Sequence, residues 1–99
     1  METRVALIGI IVENTDSVER LNKLLHEYGE YIIGRMGIPH RERRMNIISI
    51  VMDAPQEVIN ALSGKIGMLQ GINSKVIYGK SGIYKYKILR KRVKTFADS

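Results

Sequence analysis

Apolar residues occupy nearly every position of two segments of the chain. After its first residue, Arg4–Val12 reads VALIGIIV, and Asn46–Met52 reads NIISIVM. β-Branched residues at both odd and even positions are typical of strands that are covered on both faces and have neighbours on both sides. Two patchier segments, Tyr31–Ile38 and Ile72–Tyr78, also predict strands, and the first of these contains two glycines and ends before Pro39.

Apolar residues at helical spacing follow the first and third strands. Asp16 and Glu19 have the spacing of a capping box, and Gly29 suits the end of the first helix. Asp53 and Gln56 have the same spacing at the start of the second helix. The predicted buried stripes consist of Val18, Leu21, Leu24, Leu25 and Tyr28 in the first helix, and of Val58, Ile59, Leu62 and Ile66 in the second.

The order of predicted elements, β-α-β-β-α-β, is that of an α+β, ferredoxin-like fold. In this fold a four-stranded antiparallel sheet carries two helices on one face. Right-handed crossovers place the first and third strands in the middle of the sheet, and these are the two strands that are apolar on both faces. We therefore expect one ferredoxin-like domain over residues 1–79, followed by a basic C-terminal tail over residues 80–99.

The sheet face opposite the helices is also expected to be apolar. In the first strand, the two alternating sets are Val5, Leu7, Gly9 and Ile11, and Ala6, Ile8, Ile10 and Val12. Whichever set faces the helices, the other leaves an apolar surface, which promotes aggregation when it stays exposed. Association with two-fold symmetry is the commonest way to cover such a surface. We therefore predict a homodimer or a dimer of dimers.

The excess of positive charge lies at the C-terminal end of the chain. The net charge is +6, but residues 1–79 contain nine basic and nine acidic residues, whereas residues 80–99 contain seven basic residues and one acidic residue. A tail of this kind is typical of a solvated extension or of an arm that binds nucleic acid. The candidate nucleic-acid-binding residues are Lys85, Lys87, Arg90, Lys91, Arg92 and Lys94.

Few residues of the chain suit catalysis or metal binding. It has no cysteine, which excludes disulfides, a thiolate nucleophile and cysteine-ligated clusters. Neither of its two histidines, His26 and His40, has further ligands at metal-binding spacing, and no serine has a histidine near it in sequence. We therefore expect neither catalytic residues nor a metal site within a single chain. No apolar run approaches the ~20 residues of a membrane-spanning helix, so we expect a cytoplasmic protein without a membrane segment.

Two glycines in the second predicted strand allow more than one interpretation. Gly34–Gly37 (GRMG) has the form of the GXXG loop by which KH domains hold nucleic acid. A full helix follows that loop in a KH domain, whereas Ile38–Met45 provides only eight residues, with a proline near the start. We therefore do not favour a KH domain. The two glycines also suit close approach of another backbone or a ligand, with Arg35 providing charge.

Three segments of the chain resemble a known family. They are Gly34–Pro39 (GRMGIP), Ile48–Pro55 (ISIVMDAP) and Ala61–Lys75 (ALSGKIGMLQGINSK). The resemblance, which extends from about Arg4 to Tyr78, is to the iron-only hydrogenase system regulators. Their ACT-like domain is related in fold to the C-terminal, metal-sensing domain of nickel-responsive repressors. It implies an oligomeric, transcription-associated regulatory module of a hydrogenase-related system, with DNA or a regulatory protein as partner.

The resemblance also implies where a ligand would bind. ACT domains commonly bind small effectors at a subunit interface, near the first strand–helix loop. The candidate residues for a small molecule or metal are Glu13, Asn14, Thr15, Gly34, Arg35, Gly37 and His40. Nickel sensing is not implied, because nickel-responsive repressors use histidine and cysteine ligands and this chain offers only His40. We do not expect a counterpart of their ribbon–helix–helix domain, because only three residues precede the first strand in this sequence. The effector and any cofactor are left open, and a non-catalytic assembly module is the alternative.

Overall fold

Six regular elements are present in the computed structural model, which describes residues 2–80. They are β1 (Arg4–Val12), α1 (Val18–Glu27), β2 (Ile32–His40), β3 (Met45–Ala54), α2 (Gln56–Gly67) and β4 (Ile72–Tyr78). Short 3-10 turns at Thr15–Ser17, Gly29–Tyr31 and Arg41–Arg43 lie between them. The predicted nucleic-acid-binding residues, from Lys85 to Lys94, lie outside the described residues, and the domain boundary at residue 79 stays a prediction.

All four strands pair antiparallel, in the order β2-β3-β1-β4. The central positions belong to β1 and β3, the two strands that are apolar at successive positions. Both helices pack on the same face of this sheet, in one core with alternate residues of the central strands. The predicted α+β, ferredoxin-like fold is therefore confirmed.

The core lies between the helices and one face of the sheet. The strands contribute Ala6, Ile8, Ile10 and Val12 from β1 and Ile48, Ile50, Met52 and Ala54 from β3; the helices contribute Leu21, Leu25, Ile59, Leu62 and Ile66. Burial of each large aliphatic side chain stabilises the fold by about 1.5–3 kcal/mol. Because the core uses only one set of alternating strand residues, the other set lies on the opposite face, which neither helix covers.

Both helices begin differently from the capping-box predictions. The side chain of Asn14, not Asp16, accepts the first hydrogen bond: its Oδ1 accepts from the backbone N–H of Asp16 at 3.0 Å. A 3-10 turn follows before α1 begins. Asp53 does not cap α2, because the pairing of β3 with β1 continues past it, opposite Val5. The second helix begins directly after Pro55 instead.

Strand β2 lies at an edge of the sheet and has two irregularities. Its register with β3 shifts between Ile32 and Gly34, which leaves Ile33 as a bulge residue. The sequence predicts that the strand ends before Pro39, but pairing continues through Pro39 to His40. An edge strand tolerates proline because the position without an N–H donor can face away from the ladder.

The loop between β1 and α1 is anchored to the turn between α2 and β4. The carbonyl oxygen of Gly71 accepts hydrogen bonds from the backbone N–H of Glu13 at 2.8 Å and of Asn14 at 3.4 Å. The hydroxyl of Ser17 donates to the carbonyl oxygen of Gln70 at 2.6 Å. Gly71 has a φ of +71°, and a Cβ at this position would overlap the side chain of Asn14. Glycine is therefore required here by both conformation and space.

A polar cluster joins three elements at the opposite end of the sheet. Arg4 Nη1 donates to Gln56 Oε1 at 2.6 Å, and its guanidinium carbon lies 4.3 Å from the ring centroid of Tyr78. Gln56 Nε2 donates to the Tyr78 hydroxyl at 2.8 Å and to Asn60 Oδ1 at 2.9 Å. The cluster links the start of β1, the first turns of α2 and the end of β4. This tertiary role, rather than a capping box, accounts for Gln56.

A second polar contact joins the two helices near their C-terminal ends. Lys65 Nζ donates to the Tyr28 hydroxyl at 2.9 Å and lies 5.1 Å from its ring centroid. This hydrogen bond raises the pKa of Lys65 above its ordinary value. A pKa raised in the folded state adds stability that is present below the unfolded-state pKa and is lost as the pH rises through the folded-state value. The contact therefore weakens only in alkaline solution.

We expect Gly71→Ala to lower the free energy of unfolding by about 2–3 kcal/mol, because alanine would have to adopt a left-handed conformation and displace Asn14. Urea denaturation followed by circular dichroism measures this loss. The matched control is Gly64→Ala in the middle of α2, where an added Cβ would meet nothing within 4 Å. It should raise stability by about 0.5–1 kcal/mol. A Gly71→Ala variant as stable as the wild type would contradict the anchoring role of this turn.

Candidate functional site

The sheet face opposite the helices consists of three rows of residues that cross all four strands. Residues paired directly across antiparallel strands point to the same side of a sheet, so the register defines each row. From β2 to β4 the rows are Gly34, Val51, Leu7 and Ile77; Met36, Ser49, Gly9 and Lys75; and Ile38, Ile47, Ile11 and Asn73. We call these twelve residues the open face.

The open face contains most of the exposed large apolar side chains of residues 2–80. Six of the eight belong to it and are 37–65% exposed: Leu7, Ile11, Met36, Ile38, Ile47 and Ile77. The other two are Ile33 in the bulge of β2 and Met68 at the end of α2. Apolar side chains that are exposed singly are common on protein surfaces, whereas a contiguous group of this size indicates an interaction site.

Two small residues, Gly9 and Ser49, are paired directly in the middle row of the open face, on the two central strands. A Cβ added to Gly9 would meet nothing within 4 Å, so packing among the described residues does not require glycine here. Glycine inside a strand costs about 0.5–1 kcal/mol relative to alanine. The space above Gly9 therefore suits an apolar side chain from another surface.

The first group of predicted ligand-binding residues lies in the loop after β1. Several polar groups of Glu13, Asn14 and Thr15 are engaged within the protein. Besides the two N–H groups that donate to the α2–β4 turn, Asn14 Oδ1 accepts from the N–H of Asp16, and the carbonyl oxygen of Asn14 accepts from the N–H of Ser17 at 3.0 Å. These bonds occupy four backbone N–H groups of the loop and of the 3-10 turn that precedes α1. A ligand here would therefore be recognised chiefly by side chains.

The predicted residues of β2 point to opposite faces of the sheet. Gly34 belongs to the open face, whereas Arg35 and Gly37 pair with residues of β3 that face the helices. The guanidinium of Arg35 donates through Nη2 to Asn22 Oδ1 of α1. Arg35 therefore links β2 to α1, and its charge lies on the side of the sheet away from Gly34.

His40 lies at the same end of the sheet as the β1–α1 loop, but two strands away from it. It pairs with Met45, one position beyond the last pairs shared with β1. Two strand spacings separate β2 from β1 by about 10 Å, and the six residue-to-residue steps from Gly34 to His40 span about 20 Å. A single chain therefore divides the seven candidate residues among three places and does not bring them into one site.

The turn between β2 and β3 is a charged cluster outside the candidate sites predicted from the sequence. Arg41, Arg43 and Arg44 lie within four residues, with Glu42 between them, and all four are exposed. Arg44 has a φ of 53°, in the left-handed region. The run RERR in the sequence indicates this cluster. Its positive charge is not apparent from the net charge of residues 1–79, which is zero.

Two kinds of feature are absent from residues 2–80. No three or more histidine, cysteine or carboxylate side chains come together in a way that could hold a metal ion. Neither helix has the length and apolar character needed to span a bilayer.

Comparison with known proteins places this fold and these segments in context. No curated protein is significantly similar in sequence. The solved structure of uncharacterized protein TM1266 from Thermotoga maritima matches with a TM-score of 0.77 and 36% sequence identity, over 80% of this chain and 100% of that chain. A formyltetrahydrofolate deformylase from Pseudomonas putida KT2440 matches with a TM-score of 0.54 and 10% identity, over 74% of this chain and 28% of the deformylase. The second similarity concerns the fold alone.

Residues 4–76 also match a family model, TM1266-like, whose description is "Iron-only hydrogenase system regulator, putative". The matched range contains every helix and almost all of the sheet, including the three segments that carry the resemblance noted from the sequence. With the similarity to TM1266 along its full length, this match shows that the chain belongs to the TM1266-like family of iron-only hydrogenase system regulators.

Proposed function

We propose that this chain is a non-catalytic regulatory module of an iron-only hydrogenase system that works as a homodimer or a dimer of dimers. Its subunit interface would bind a small molecule or metal and transmit binding to a DNA or protein partner. Family membership supports the regulatory role. The open face carries the proposal of an oligomer, because its six exposed apolar side chains have no cover among the described residues.

A second copy of the chain would offer the open face a matching apolar surface. The outer rows are apolar except for Asn73, and the space above Gly9 can receive a side chain of the partner in a two-fold arrangement. Four strands and three rows cover an area of about 400 Å², roughly half of what one partner contributes to a standard interface. A stable dimer therefore needs further contacts at the ends of the sheet.

Four of the candidate ligand-binding residues lie at one end of the sheet: Glu13, Asn14, Thr15 and His40. Within one chain, two strand spacings, or about 10 Å, separate His40 on β2 from the end of β1, where the loop Glu13–Thr15 begins. A two-fold partner would supply a second loop and a second His40, so a composite site could form from two chains. A ligand in such a site binds the dimer more tightly than the monomer, which couples ligand concentration to subunit association.

The chemistry of the chain supports a regulatory role without catalysis. The sequence has no cysteine, and none of its serines has a histidine near it in sequence. The polar side chains that the structure brings together, such as Gln56 and Tyr78, link elements of the fold. We propose a cytoplasmic location, since a module that acts on transcription works where the DNA is.

Nucleic-acid binding by the C-terminal residues is the alternative function. It is favoured by one observation: the whole excess of six positive charges belongs to residues 80–99. The candidate residues are Lys85, Lys87, Arg90, Lys91, Arg92 and Lys94. Such an arm would bind phosphates with an affinity that falls steeply as salt is added.

We expect Met36→Lys to raise the dissociation constant of the homodimer by about tenfold or more. The substitution replaces an apolar side chain by a charge that would have to be desolvated in the interface, in addition to Lys75 at the other edge of the same row. Sedimentation equilibrium measures this constant. The matched control is Met68→Lys: Met68 is even more exposed, at 87%, but lies outside the open face. This variant should associate like the wild type. A wild-type protein that is monomeric at micromolar concentration, or equal effects of the two substitutions, would exclude the open face as the interface.

Native mass spectrometry of protein purified without a chelator should show an even number of subunits with a reproducible additional mass. Calorimetric titration with amino acids and divalent metal ions then identifies the ligand class. We expect Glu13→Gln to weaken its binding, whereas Glu57→Gln, the same loss of charge at an exposed position on α2, should not. An oligomer that carries no additional mass and gives no heat with any titrant would argue against sensing and leave an assembly module.

A further inference from the structure

The turn between β2 and β3 holds a local concentration of positive charge on a domain that is otherwise negative. Arg41, Arg43 and Arg44, with Glu42, give this turn a net charge of +2. Outside the turn, residues 1–79 contain six basic and eight acidic residues. Residues 1–79 thus have zero net charge only because the +2 of the turn cancels the −2 of the remaining residues.

The turn also projects from the sheet. The pairing of β3 with β1 ends at Asn46, whereas its pairing with β2 continues to His40 and Met45. Every residue from His40 to Arg44 is exposed. The arginines therefore lie on a convex tip only two strands wide, where a large partner can approach them from several directions.

Arg44 occupies a backbone conformation that glycine or asparagine would adopt at lower cost. Its φ of 53° lies in the left-handed region, which suits glycine or asparagine and which other residues rarely adopt. Strained backbone positions of this kind occur preferentially where a side chain has a function. An arginine at this position adds a third guanidinium to the tip at the expense of conformational stability.

We propose that this arginine turn binds the phosphate backbone of a nucleic acid, as a site on the folded domain separate from the C-terminal residues. The planar guanidinium donates two parallel hydrogen bonds to phosphate oxygens, which lysine cannot do. A two-stranded ribbon is about 10 Å wide and fits beside or within the major groove of a duplex, which is about 12 Å wide. The four residues of the turn, Arg41–Arg44, are all charged, which suits contact with a phosphate backbone better than the apolar centre of a protein interface. The inference goes beyond the proposed oligomer and does not depend on it.

The decisive variant is Arg44→Gly in the full-length protein. Binding to a fluorescein-labelled DNA duplex of about 20 base pairs is measured by fluorescence anisotropy, between about 50 and 200 mM salt. Loss of one phosphate contact should raise the dissociation constant by about five- to tenfold and reduce the salt slope by about 0.9. Because glycine adopts the left-handed conformation freely, Tm should rise by about 4 °C. Weaker binding by a more stable protein cannot be explained by unfolding.

Two comparisons separate this site from general electrostatic attraction. Arg20→Gln removes the same charge from an exposed position on α1 and should leave both the affinity and the salt slope unchanged. In a protein whose six candidate residues from Lys85 to Lys94 are replaced by glutamine, Arg44→Gly should still reduce the slope by about 0.9.

Three results would overturn the proposal. The first is an Arg44→Gly variant with the wild-type salt slope, and the second is an equal effect of Arg20→Gln. The third is a protein that does not bind the duplex but binds a poly-glutamate peptide, with an affinity that Arg44→Gly lowers. That result would make the turn a protein-binding surface. None of these results bears on the subunit count, so failure of the arginine turn and failure of the proposed oligomer are distinguishable.

Discussion

The structure depends on one constraint: two central strands that are apolar on both faces, in a sheet whose helices cover only one. The hydrophobic effect drives Ala6, Ile8, Ile10 and Val12 and their counterparts on β3 into the core beneath the helices. The same strands then necessarily present Leu7, Ile11 and Ile47 on the other side. Strand pairing, the position of the helices and the apolar open face thus follow from a single pattern of residues.

The strand order and the fold could be predicted because they rest on that pattern. Periodicity places β1 and β4 with the observed bounds, since each begins and ends where apolar spacing changes. Helix starts were predicted less well. A capping box is a local signal, and it competes with tertiary pairing: Asp53 pairs within β3, and Asn14 replaces Asp16 as the acceptor because its loop is held by Gly71. Contacts between residues about 50 positions apart leave no trace in local spacing.

The candidate site shows the same limit in another form. Gly34 and Arg35 are neighbours in sequence, but successive residues of a strand point to opposite faces of the sheet. Arg35 therefore contacts Asn22 on the side of the helices. Motif reasoning treats neighbouring residues as one unit, whereas the sheet separates them. The sequence shows Gly9 only as a small residue within an apolar strand and does not indicate a role for it. Its central place on the open face is evident only from the register.

The irregular edge of the sheet has a consequence for assembly. Strand β2 has Pro39, which offers no N–H, one residue before its end, and a bulge at Ile33 near its start. Neither end of this edge therefore presents a regular ladder to another strand. Lateral growth by adding strands is therefore opposed on this side. Under the proposed association through the open face, an edge that resists extension favours closed particles of fixed size over filaments. Pro39 and the bulge thus oppose the addition of strands along the β2 edge.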